Sequence, residues 1–171
     1  MRTAHRRLIG ASLIFALPSM GSATIYFVKE GGTGVNGLSW SDAFGTLEEA
    51  FAVAIAGDDI LVQEGTYVPR DSGTGRNRTF SPPAGVAIRG GYVSSTDPDT
   101  PDGSFVETIL SGDIGTQGVD TDNCYNVVTL DSLGHTANDQ VTIDGFKITG
   151  GYADGSGCLC LIESLRMNFP R

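Results

Sequence analysis

Two textures of apolar spacing divide the chain at about residue 57. Before it, the run TIYFVK at 24–29 is β-branched and aromatic and predicts a strand. A glycine-rich stretch at 30–37 follows, and Trp40 and Phe44 lead into TLEEAFAVAIAG at 46–57. In that segment Leu47, Ala50, Phe51, Ala54 and Ile55 fall at i, i+3, i+4, i+7 and i+8, one stripe of a helix. Thr46 and Glu49 stand three apart, the spacing at which each side chain caps the other's backbone amide. Gly57 supplies the stop. The spacing therefore predicts one helix, over residues 46–56.

After Gly57 only short apolar runs and period-2 alternation remain. DILVQ at 59–63 is followed by a turn at 64–66 and by Tyr67-Val68. Further strands are predicted at 86–89, 108–111, 127–130, 141–143 and 146–149. Asp144-Gly145 joins the last two, either as a two-residue hairpin or as a corner between two flat faces. The strand centres near 61, 87, 109 and 128 step by 26, 22 and 19 residues. One β-rich unit every 20–25 residues is the pattern of a solenoid, whose open end needs covering. The helix before the first unit is placed to cover one end. The expected fold is thus all-β: a right-handed parallel β-helix with one N-terminal capping α-helix, truncated at its C-terminus.

The first residues read as an address. Arg2, His5, Arg6 and Arg7 precede an apolar run at 8–17, Pro18 breaks it, and Gly21-Ser22-Ala23 puts small residues at −3 and −1 of a cleavage site before Thr24. This is the layout of a secretory signal peptide, and the apolar run is too short to span a bilayer. The expected organisation is a signal peptide at 1–23, strand and capping helix at 24–57, rungs at 58–157 and an atypical tail at 158–171. The protein is expected to be secreted or displayed at the cell surface. The tail, CLCLIESLRMNFPR, lacks the glycine-rich texture that precedes it, which suggests a shifted or shortened reading frame. A short cap helix at 161–167 is the alternative.

Charge narrows the partners. With 11 basic and 20 acidic residues the chain carries −9, and removal of residues 1–23 would leave 8 against 20, or −12. Nucleic acid needs a basic surface and is not an expected partner. The 24 glycines include no phosphate-loop motif. Three cysteines, Cys124, Cys158 and Cys160, are odd in number, and with His135 as the one histidine after the leader they make no zinc set. His135 has no G-x-S-x-G serine to work with. Asn77-Arg78-Thr79 matches a glycosylation acceptor, which a bacterial-type leader makes idle.

The stretches GGTGVNGLSWSDAFGTLEEAFAVAIAGDDILVQEGTY, VAIRGGY, TILSGDI, TDNCYNVVTL and VTIDGFKITGG together resemble the N-terminal part of the right-handed parallel β-helix, pectin-lyase-like exported bacterial proteins. The resemblance spans about residues 24–157 and bears on architecture more than on function, since that fold hosts lyases, hydrolases, adhesins and passengers. It implies an exported surface or passenger module that binds an extracellular polysaccharide or a cell-surface partner and, as this fragment, is non-catalytic. The alternative it implies is the leading part of a calcium-assisted, pectate-type polysaccharide lyase. Asp113, Asp131 and Asp144 each follow the apolar part of a unit, so they are the expected metal ligands, with calcium as the cation that takes such oxygens. Arg89 and Lys147 are the basic side chains placed to act as base or carboxylate clamp. The lyases' catalytic arginine motif has no counterpart, and no catalytic residue is assigned. The segments at 97–103 and 120–123 match calcium loops only in part.

Overall fold

The computed structural model describes residues 22–70, 75–93, 107–130 and 140–152. Among these described residues seven strands form, in the order β1 (Ile25–Val28), β2 (Asp59–Gln63), β3 (Gly65–Tyr67), β4 (Ala87–Tyr92), β5 (Thr108–Ser111), β6 (Thr142–Asp144) and β7 (Phe146–Thr149). All pairings are parallel. One sheet runs β1-β2-β4-β6 and the other β3-β5-β7. Chain passes from the first sheet to the second through a single residue at Glu64 and again at Gly145.

This architecture corrects the right-handed β-helix expected from the sequence. Two small parallel sheets with little helix are formed, and no solenoid is detected among the described residues. The reason lies in the spacing. Paired positions Ile25, Asp59, Ala87 and Thr142 are separated by 34, 28 and 55 residues, and Gly65, Thr108 and Phe146 by 43 and 38. A solenoid needs one unit at a steady period. The run at 127–130 joins neither sheet and contributes one isolated bridge, Val128 to Phe80. The even step seen along the sequence counted that run as a rung, which it is not.

Alternation along each strand divides core from surface. Tyr26, Ile60, Ile88 and Ile143 stand side by side across the four-stranded sheet and point inward, with Val28 beside Val62 one pleat further on. Tyr67, Leu110 and Ile148 form the facing row of the second sheet. Phe80, Val86 and Val127 fill the interior from the connecting segments. Burying each such aliphatic side chain contributes about 1.5–3 kcal/mol, so these rows carry the fold.

The predicted helix forms but is shorter. Helix α1 is Leu47–Phe51, and the capping box is present. Thr46 Oγ1 accepts from the Glu49 amide at 3.3 Å while Glu49 Oε2 accepts from the Thr46 amide at 3.0 Å. Leu47, Ala50 and Ala54 are buried, but Ile55, the last member of the stripe, is 66 % exposed. The helix stops early because the chain turns at 55–58: Asp58 donates its amide to the Ile55 carbonyl, and its carboxylate takes the Ile55 amide. Helix α1 packs against β1. The outer edge of β1 is itself occupied by chain, through Phe27 N–H to Gly37 O and Phe44 N–H to Phe27 O. Among the described residues no helix is long and apolar enough to cross a membrane. Of the expected leader at 1–23, residues 1–21 lie outside the described residues, as does the whole of the expected tail at 158–171.

Asp144-Gly145 is a corner and not a hairpin. Strand β6 pairs with β4 and β7 with β5, so the two strands it joins belong to different sheets. Gly145 has φ +74° and its backbone lies directly against Gly90 of β4.

Candidate functional site

Alternation that points Ile60, Ile88 and Ile143 inward must point their neighbours outward. On the outer side of the four-stranded sheet, register places Phe27, Leu61, Arg89 and Asp144 in one row, and Ile25, Asp59, Ala87 and Thr142 in the next. Arg89 reaches diagonally to Asp59, Nε to Oδ1 at 3.0 Å, with the two side chains 43 % and 34 % exposed. Asp144 is the register neighbour of Arg89 on the opposite flank. A guanidinium thus sits, partly exposed, between strands that each carry a carboxylate, while Leu61 beside it in the row is buried.

An aromatic cluster closes one end of this face. Ser39 caps a single 3-10 turn at Trp40–Asp42, accepting from the Asp42 amide, and Lys29 Nζ donates to the Trp40 carbonyl at 2.8 Å. This holds the Trp40 ring edge-on to Phe27, centroids 4.9 Å apart, and 6.0 Å from Tyr92. Trp40 stays partly exposed while Tyr92 is buried beneath. The result is a surface with an apolar ring at one end and fixed donors and acceptors at the other.

The expected site residues are distributed differently. Asp144 belongs to this face. Asp113 follows β5 of the other sheet, where its Oδ2 accepts from the Gly118 amide at 3.0 Å. Asp122 closes the same loop by accepting from the Thr116 amide at 2.7 Å. Buried in that loop without a hydrogen-bond partner are Asp113 Oδ1, Asp122 Oδ1 and Asn123 Oδ1. Such hard oxygens are the kind calcium takes, and Asp113 is the member of the expected trio found among them. Asp131 lies outside the described residues, as does His135. Among the described residues no group of three or more His, Cys, Asp or Glu side chains comes together around a metal position. Lys147 faces outward from the second sheet and pairs with Glu107 at 3.3 Å, both well exposed, so it does not share a site with Arg89.

Two other features are structural. A groove of about 210 Å³ beside α1 is lined by Glu30, Glu48, Glu49, Tyr67 and Arg70. Glu49 is spent on the capping box and Glu48 Oε1 on the Arg70 amide. Arg76 donates to the carbonyls of Asn123 and Tyr152 and lies 4.1 Å from the Tyr125 ring centre, tying three segments together. Sequence reasoning passed over Asp59 and Trp40. Asp59 was detectable as the outward neighbour of Ile60, but its pairing with Arg89, 30 residues away, needs the register. Comparison with protein-family models, curated proteins and solved structures gives no match.

Proposed function

We propose that the chain is an exported, non-catalytic binding module and that the outer face of its four-stranded sheet receives an extracellular glycan. One observation carries this reading: the Trp40 ring and the Arg89–Asp59 pair lie on the same outward surface, held by register and ring packing. A pyranose presents an apolar C–H face and a rim of hydroxyls. An aromatic ring suits the first, and a guanidinium flanked by carboxylates offers donors and acceptors to the second. Arg89 Nε is already engaged by Asp59, which favours a fixed recognition surface over a free base. Export rests on the cationic, apolar and small-residue segments of residues 1–23.

The test is affinity electrophoresis of the secreted protein through a panel of neutral and acidic polysaccharides, with and without calcium. At least one glycan should retard it. Trp40→Ala and Arg89→Ala, checked for folding by circular dichroism, should each weaken that retardation by about tenfold, the loss of roughly 1.4 kcal/mol. Retardation unchanged in both variants would remove the face from consideration. Calcium-dependent appearance of an unsaturated uronate product would favour the lyase alternative instead.

A further inference from the structure

Asp58 is a carboxylate sealed in the fold with no cation among its described partners. Only 4 % of the residue is exposed. Its Oδ2 accepts from the Ile55 amide at 2.9 Å and its Oδ1 from the Thr24 amide at 2.8 Å, both neutral donors. A buried charge is costly unless it is paired. One of those two donors belongs to Thr24, the residue that follows the small-residue motif Gly21-Ser22-Ala23.

We propose that the Ala23–Thr24 bond is the processing site of this chain, and that the α-ammonium created at Thr24 docks on Asp58 as its counter-ion. The inference rests on the export half of the reading above and adds what processing does to the fold. Ser22 and Ala23 are exposed, whereas Thr24 is half-buried and its carbonyl already accepts from the Asp59 amide at 3.0 Å. The ordered pairing of β1 with β2 begins at the next residue, Ile25 with Asp59. The scissile bond therefore stands at the boundary between accessible chain and packed chain. In the step itself, the leader peptidase of the export machinery adds water across the bond. The C–N bond breaks, Ala23 keeps a carboxylate, and the Thr24 nitrogen leaves as an amine that takes up a proton. The nitrogen stays 2.8 Å from Asp58 Oδ1, but a single neutral N–H becomes a charged group with three donors, and the bond becomes charge-assisted. The first strand of the sheet that bears Trp40's neighbour Phe27 is then latched at its very start.

The experiment uses the full 171-residue chain, expressed in an exporting bacterium and purified from the exported fraction. Intact mass and N-terminal sequencing should show loss of residues 1–23 and Thr24 in first place. On that product, acylation of the α-amine at neutral pH should run at least about tenfold slower in the folded protein than in urea, because a hydrogen-bonded ammonium is not a nucleophile. Asp58→Asn should abolish the protection, and if that variant does not fold, the wild-type comparison alone decides. An exported product with a different first residue, or an α-amine equally reactive folded and unfolded, overturns this inference and leaves the export reading standing. A chain retained inside the cell with its leader intact overturns both.

Discussion

Replacing Gly145 by alanine asks the corner between the two sheets to accept a methyl group it has no room for. Two costs combine. At φ +74° an alanine sits in the left-handed region, which costs an L-residue about 1–2 kcal/mol. The added Cβ would also stand 2.6 Å from Gly90 O and 3.0 Å from Gly90 C. Both are backbone atoms, so no side chain can swing away, and β4 and β6 must move apart where Arg89 and Asp144 are paired. Overpacking of this kind typically costs about 1–3 kcal/mol, for a total of about 2–5 kcal/mol. Gly91 provides the control. Its φ is +87° and a Cβ there meets nothing within 4 Å, so Gly91→Ala should lose only the backbone contribution of about 1–2 kcal/mol. Urea unfolding followed by the fluorescence of Trp40, the single tryptophan, would measure both, with an unchanged slope confirming that stability alone has moved. Equal losses in the two variants would refute the close approach of β6 to β4 at this corner.

The capping box should be worth a measurable amount in a helix of only five residues: Thr46→Ala is expected to lower stability by about 1 kcal/mol, and Thr46→Ser to restore most of it in the same urea assay. Tyr67 gives a pH dependence. Burial is the main cause raising its phenol well above the ordinary tyrosine value, a backbone hydrogen bond from Glu30 partly opposes it, and the Glu30 charge adds to it. A group whose folded pKa is raised contributes stability that is complete below its unfolded pKa and lost as pH rises beyond it. Stability should therefore hold to about pH 10 and fall above it. Tyr67→Phe should fall less steeply, and ionisation of Tyr67 together with ordinary tyrosines in the folded protein would contradict the burial.

What the sequence made legible was local. Thr46 and Glu49 announce the cap because both partners lie within one turn, and 59–63 and 108–111 announce strands because β-branched and apolar residues crowd there. Asp144-Gly145 marked a change of direction, although only pairing shows that it leads to the other sheet. The solenoid expectation failed where it depended on distance along the chain. Register steps of 28 and 55 residues separate adjacent strands of the same sheet, and spacing alone does not distinguish a strand at 127–130 from a segment that makes one bridge. The candidate face was partly visible. Arg89 and Asp144 were singled out as charged residues beside apolar runs, and the alternation rule correctly turns them outward. Asp113 was placed with Asp144 because each follows an apolar run, but such positions lie in different sheets whenever the preceding strands do. Trp40 reaches the face only through the Lys29 and Ser39 contacts of an irregular segment, which no periodicity encodes.

Nuclear Overhauser contacts between strand backbones test the shared foundation of the corner and the face most directly. The account predicts parallel contacts of Leu61 with Arg89 and of Arg89 with Asp144, with Ile88 beside Ile143. An antiparallel pattern linking Ile143 to Phe146 across Asp144-Gly145 would contradict it, because the row from Phe27 to Asp144 would then not exist.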